Sequence, residues 1–150
     1  MELTQEKLQR KYTKATDALT TLEEAIIDLQ KVPTLAKCGN YDENRVYRTY
    51  RDSLIQRFEY TFDTTWKYLS DFLQQQGRIL PIKTPKAIFR EALKATFLSE
   101  PDVRLALKMV DHRNVTTHGY NEALIEEISE NIPQYTQLIK KILQKSCSLI

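Results

Sequence analysis

From Tyr47 onward the apolar residues Leu54, Phe58, Phe62, Trp66, Leu69 and Leu73 follow at close to 3.5-residue spacing, and residues 42 to 76 contain neither glycine nor proline. An α-helix turns once in about 3.6 residues, so this spacing lays the apolar side chains along one stripe and predicts a helix over about 42–76. A helix this long with one apolar stripe is not stable alone in water. Other helices must cover the stripe, which commits the chain to a helical bundle.

The remaining sequence supplies those helices. Leu8, Tyr12, Ala15, Leu19, Leu22, Ile26 and Leu29 alternate steps of four and three and predict a helix over about 4–31. Val32-Pro33 should end it, because proline disfavours helical geometry in the residue before it. Residues 33–41, with Gly39 and Asn40, read as a loop. Gly77 suits the position just past a helix end.

Thr84-Pro85 is a capping residue followed by proline at the first helical position, so a third helix is expected over 85–98, through Ile88, Ala92, Ala95 and Phe97. Ser99, Pro101 and Asp102 repeat the start signal for a helix from about 100, carrying Leu105, Leu107, Met109 and Val110 towards Arg113. Asn121 should cap a last helix reaching about 146 through Ile125, Ile128, Tyr135, Leu138 and Ile142, which Pro133 should kink or split. No strand alternation of useful length occurs. The expected fold is all-α: an up-and-down four-helix bundle with an extra short helix at 85–98, forming one domain over residues 1–150.

Composition narrows the function classes. A formal net charge of +2 is too small for a protein that coats nucleic acid nonspecifically. No stretch approaches the roughly 20 apolar residues that span a bilayer, and charges interrupt the first 30 residues, so a cytoplasmic protein without membrane contact is expected. Cys38 and Cys147 are far apart and read as reduced thiols, and with only His112 and His118 as histidines no metal site is expected. Charge is uneven locally. Arg78, Lys83, Lys86, Arg90 and Lys94 face one acid, Glu91, in their stretch, whereas Glu122, Glu126, Glu127 and Glu130 stand without a base in theirs. Such blocks can pair within the bundle or across a dimer.

The segment with chemical potential is Arg113-Asn114-Val115-Thr116-Thr117-His118-Gly119-Tyr120. Arg113 on the last turn of one helix and His118 on the turn that follows can converge on one anion. Arginine neutralises a phosphate through forked hydrogen bonds, and a histidine titrating near neutrality can move the proton. The same residue types also simply satisfy the last carbonyls and the dipole of a helix C-terminus.

Other residues carry paired readings. Glu59, Asp63 and Lys67 stand one turn apart and form either a surface ion-pair row or a polar network behind the site. Arg45, Arg48 and Arg51 recur every three residues as a solvated face or a phosphate-facing stripe. Trp66 falls on the apolar stripe and reads as packing. His112 neighbours Arg113 but projects about 100° away, which favours His118 for catalysis.

Arginine, four residues, histidine, one residue and tyrosine is also the signature of the HEPN superfamily, and the chain resembles its nucleotidyltransferase substrate-binding branch. Phe58-Glu59-Tyr60-Thr61-Phe62, Trp66-Lys67 and Leu73 resemble the branch's second-helix signature. Pro85-Lys86, Arg90-Glu91-Ala92 and Arg113-Asn114 before His118 and Tyr120 resemble its later blocks, in order. The resemblance covers about residues 45–140, departing at Arg104, Leu105 and Ala106, where a bulky aromatic is usual, at Asp63, where glutamate is common, and at Gly119, where threonine is.

The resemblance implies a homodimeric four-helix bundle in which Arg113 and His118 of both subunits face a shared cleft. It implies a toxin that cleaves RNA without a metal or other cofactor, neutralised by a minimal nucleotidyltransferase encoded nearby. Arg113 and His118 would be catalytic, Asn114, Glu59 and Lys67 supporting, and Tyr120 the site of AMP attachment. The alternative is a non-catalytic subunit that presents substrate to a separate nucleotidyltransferase. The chain has no Gly-Ser turn with an Asp-x-Asp pair of its own.

Overall fold

In a computed structural model, described over residues 4–115 and 121–149, six helices and no strand occur among the described residues. The first, α1 (Gln5–Gln30), is capped by Thr4, whose hydroxyl accepts from the Lys7 amide at 3.1 Å. It buries Leu8, Ala15, Ala18, Leu19, Leu22 and Ala25.

Residues 33–41 are not the expected loop. They form most of a short helix, α2 (Val32–Gly39), with a proline in its first turn. Pro33 ends α1 and starts α2 for one reason: it has no amide hydrogen, and the first turn of a helix needs none. Asn40 closes α2 in the left-handed region at φ 56°, letting the Tyr41 amide reach the Ala36 carbonyl at 2.9 Å.

The long helix is α3 (Glu43–Gln75), 33 residues or about 50 Å, capped by Asp42. It runs beside α1 and also touches α2, α4 and α6, which makes it the central element. Gly77, at φ 90°, turns the chain out of it. Next, α4 (Pro85–Lys94) is capped by Thr84 and stops four residues short of the expected end at 98. Thr96 takes a left-handed φ of 58°, and the Phe97 amide folds back on the Ala92 carbonyl at 2.9 Å. Phe97 and Leu98 are buried all the same, so apolar spacing carried the expected helix past its real end.

Then α5 (Glu100–Val115) buries Val103, Ala106, Met109, Val110 and His112, while Leu105 and Leu107 pack only at the edge of the core. Finally α6 (Glu122–Cys147) starts from the Asn121 cap and runs unbroken through Pro133, which does not split it. Pro133 lies on the exposed side of the helix, between core residues Ile132 and Tyr135. No helix among the described residues is long and apolar enough to cross a membrane.

The core is aromatic where α3, α4 and α6 meet. Phe58 stacks on Tyr135 with ring centroids 5.7 Å apart, and Phe62 leans on Phe89 at 6.4 Å. The polar ends of the buried rings are satisfied. The Tyr68 hydroxyl donates to Ser146 Oγ at 2.8 Å, and the Tyr135 hydroxyl lies 2.5 Å from His112 Nδ1. Trp66 is half-buried and packs against the same core. Both cysteines are free and exposed.

Phe58 is fully buried, so Phe58→Ala should cost about 3–5 kcal/mol. Thermal or chemical unfolding checks this, and a change in Tm within error of zero would contradict the packing described.

Burial lowers the His112 pKa below its ordinary 6.5, and burial likewise raises that of Tyr135. The folded protein thus prefers neutral His112, with Nδ1 accepting from the tyrosine. That stabilisation is complete above 6.5 and is lost as the pH falls through that value towards the lower folded one. The stability advantage of wild type over His112→Gln should therefore shrink between neutral and mildly acidic pH. A gap in Tm that stays constant across that range would contradict it.

Candidate functional site

Along α5 the residues Val103, Ala106, Val110 and Arg113 succeed one another at steps of three and four, so the helix's core-facing stripe ends in an arginine. An arginine there must be paired or reach solvent. Two carboxylates one turn apart on α3 pair it. Asp63 accepts from Arg113 Nε at 3.4 Å and from Nη2 at 3.1 Å, and Glu59 Oε2 lies 3.5 Å from Nη1. The side chain of Arg113 is 18% exposed.

This arrangement bears on the two readings of Glu59 and Asp63. Both face Arg113 rather than forming a row along the surface with Lys67, which is exposed. A fork from Asp63 and a further contact from Glu59 fix the plane of the guanidinium, and a planar, delocalised cation is the group for which that matters most.

Asn114 follows at the exposed end of α5. His118 and Tyr120 lie outside the described residues, as do Thr116, Thr117 and Gly119. The described residues next to them are Val115 at the end of α5 and the Asn121 cap of α6, where Asn121 Oδ1 accepts the Leu124 amide at 3.2 Å. His112, by contrast, turns into the core against Tyr135, away from Arg113 and its carboxylates.

A second polar centre flanks the start of α6. Arg51 is 1% exposed and pairs with Glu122 and with Glu126, the latter at 3.3 Å, while Tyr47 donates to Glu126. Burial first, and then that hydrogen bond, push the Tyr47 hydroxyl up to about 12. The reading of Arg45, Arg48 and Arg51 as one solvated or phosphate-facing stripe is thus corrected. Arg45 and Arg48 are exposed, but Arg51 precedes Leu54, Ile55 and Phe58 by helical steps and ends the buried stripe of α3.

The pairs within the bundle account for part of the charge blocks. The acidic block meets Arg51 and Tyr47, and Lys108 Nζ donates to Asn131 at 3.1 Å. The basic block is held separately, by Arg78 with Glu91 at 2.6 Å and Lys86 with Asp111 at 2.7 Å. The sequence signal for Arg51 was present in the acids themselves: Glu122 and Glu126 stand one turn apart with no base in their own stretch. Among the described residues no group of three or more His, Cys, Asp or Glu side chains has the arrangement of a metal site.

On the side of α3 facing α1, Asp63 is also the wall of a shallow groove of about 230 Å³, lined by Lys11, Lys14, Tyr60, Thr64 and Lys67. The carboxylate that orients Arg113 therefore joins two surfaces.

Comparison with known proteins agrees with the helical fold. No match is found among curated proteins. A crystal structure of a Thermus thermophilus protein is similar, with TM-score 0.70 and 33% sequence identity over 88% of this chain and 98% of that one. The model of the family described as nucleotidyltransferase substrate binding protein like matches residues 10–148, nearly the whole bundle, from α1 to the last turn of α6. The chain belongs to that family.

Proposed function

We propose that this chain is a homodimeric, HEPN-type ribonuclease that acts as a toxin and is held in check by a minimal nucleotidyltransferase. The observation that carries the reading is the oriented Arg113: a guanidinium fixed by Asp63 and Glu59 at the last turn of α5, five residues before His118. Family membership supports the partnership with a nucleotidyltransferase.

The residues divide the reaction as follows. His118 takes the proton from a ribose 2′-hydroxyl, and that oxygen attacks the adjacent phosphorus. The bond to the 5′-oxygen breaks, leaving a 2′,3′-cyclic phosphate, and the departing oxygen is protonated by the imidazolium of His118 from the partner subunit. Arg113 neutralises the charge that builds on the phosphoryl oxygens in between. Asn114 orients a phosphate or the imidazole. Glu59 and Asp63 take no part in making or breaking bonds; they position Arg113. Tyr120, one residue past Gly119, is where the partner would attach AMP: its hydroxyl displaces pyrophosphate from ATP and forms a phosphodiester beside the site.

One observation favours a second reading, a non-catalytic subunit that presents substrate to the nucleotidyltransferase. Two carboxylates on one guanidinium leave that trio at a net negative charge, which weakens its pull on a phosphate. The family description fits this reading as well.

Cleavage of RNA by the purified chain separates the two. His118→Ala should lower kcat by about 10²–10⁴ and Arg113→Ala by about 10²–10³. Asp63→Ala should lower it by roughly tenfold, the loss of about 1.4 kcal/mol of positioning. Equal cleavage by wild type and His118→Ala, or none by either, would sink the ribonuclease. Calorimetry against the neighbouring nucleotidyltransferase then decides the binding role, and no measurable heat would exclude it.

A further inference from the structure

The groove behind Asp63 has no part in the chemistry above, yet its lining is selective. Lys14 and Lys67 are exposed, and among the described residues neither has a carboxylate within salt-bridge distance. Lys11 differs, being paired with Asp71. Tyr60 is 51% exposed, with Lys14 Nζ over its ring 5.9 Å from the centroid. The ring is the most exposed aromatic side chain of α3, on which Phe58, Phe62, Tyr68 and Phe72 are buried and Tyr47, Tyr50 and Trp66 half-buried, and it stands beside two ammonium groups.

Size narrows the ligand. At about 230 Å³ the groove is smaller than the roughly 300–1,000 Å³ of sites that enclose a whole small molecule, and it is open along α1 and α3. It suits one unit of a longer polymer passing through. The chemistry of the lining names that unit: two cations for phosphates and one aromatic face on which any base can stack. Asp63, shared with Arg113, sets the direction, since a strand leaving the groove over this wall arrives at the guanidinium.

We infer that the Lys14–Tyr60–Lys67 groove is the path of single-stranded RNA next to the scissile phosphate, with Tyr60 stacking one base and the two lysines holding flanking phosphates. This rests on the ribonuclease reading for its location relative to cleavage, but not for binding itself. The occupant weighed against it is an acidic surface of the nucleotidyltransferase, which would use the lysines and leave the exposed tyrosine ring without a role.

The test uses the full chain carrying His118→Ala, so that bound RNA survives, and a short unstructured single-stranded RNA followed by fluorescence anisotropy over a range of salt. Lys14→Gln with Lys67→Gln should weaken binding and reduce the salt slope by about 1.4, since each phosphate neutralised on a single strand contributes about 0.7. Tyr60→Ala should weaken binding fivefold or more while Tyr60→Phe binds as the parent does, which marks stacking rather than a hydroxyl contact.

In otherwise wild-type protein, Lys14→Gln and Tyr60→Ala should raise KM and leave kcat in place. Unchanged affinity and salt slope in the folded lysine variant would overturn the assignment, as would absence of RNA binding by the parent. So would loss of nucleotidyltransferase binding, with RNA binding intact, in the lysine variant. Groove-dependent binding of RNA that wild type never cleaves would instead overturn the ribonuclease and leave the RNA path standing.

Discussion

A single helix has to satisfy two demands at once, and α3 does so with faces about 100° apart. Leu54, Phe58, Phe62, Leu69 and Leu73 form its buried stripe, and Glu59 and Asp63, each one residue beyond a core phenylalanine, reach the guanidinium of Arg113. The two sets cannot be adjusted independently. Turning α3 enough to free Arg113 would pull Phe58 from Tyr135 and Phe62 from Phe89. The aromatic core therefore sets the position of the carboxylates, and the carboxylates set the plane of the arginine.

The two buried stripes that end in arginine give the bundle its polarity. In α5 the run Val103, Ala106, Val110 closes on Arg113, and in α3 the run Phe58, Ile55, Leu54 closes on Arg51. One arginine sits at the last turn before residues 116–120 and the other holds Glu122 and Glu126 in the first turns after them. The end of α5 and the start of α6 are thus each held by guanidinium–carboxylate pairs to α3. Apolar packing alone would fix the ends of α5 and α6 less specifically, because a forked ion pair tolerates little rotation.

Much of this is legible in the amino-acid order. The helices over 4–31 and 42–76, and the starts near 85, 100 and 121, are marked by apolar period and by Thr84, Ser99 and Asn121 as caps, all of which are local signals. What is not legible depends on context. Pro33 reads as a stop, and whether a new helix begins on it depends on Val32 and Ala36 finding a core. Phe97 continues the apolar period, but Thr96 in a left-handed conformation ends α4 before it. Pro133 leaves α6 whole because it sits on the exposed side, and the side a residue faces is decided by the other helices.

The candidate site shows the same division. Arg113 and His118 stand out by residue type and spacing, whereas the pairing of Glu59 and Asp63 is with an arginine on another helix, 50 residues away in sequence for Asp63. An i,i+4 pair of acids looks the same whether it faces solvent or an arginine. The electrostatic consequence reaches further. Glu59 and Asp63 outweigh the one positive charge they hold, so orientation of Arg113 comes at the expense of its attraction for phosphate. Lys14 and Lys67, on the far side of Asp63, restore positive potential where a substrate strand would approach, without competing for the arginine's geometry. On the ribonuclease reading this separates two tasks that a single exposed arginine would have to combine: lysines attract the polyanion over a distance, and a fixed guanidinium meets the transition state.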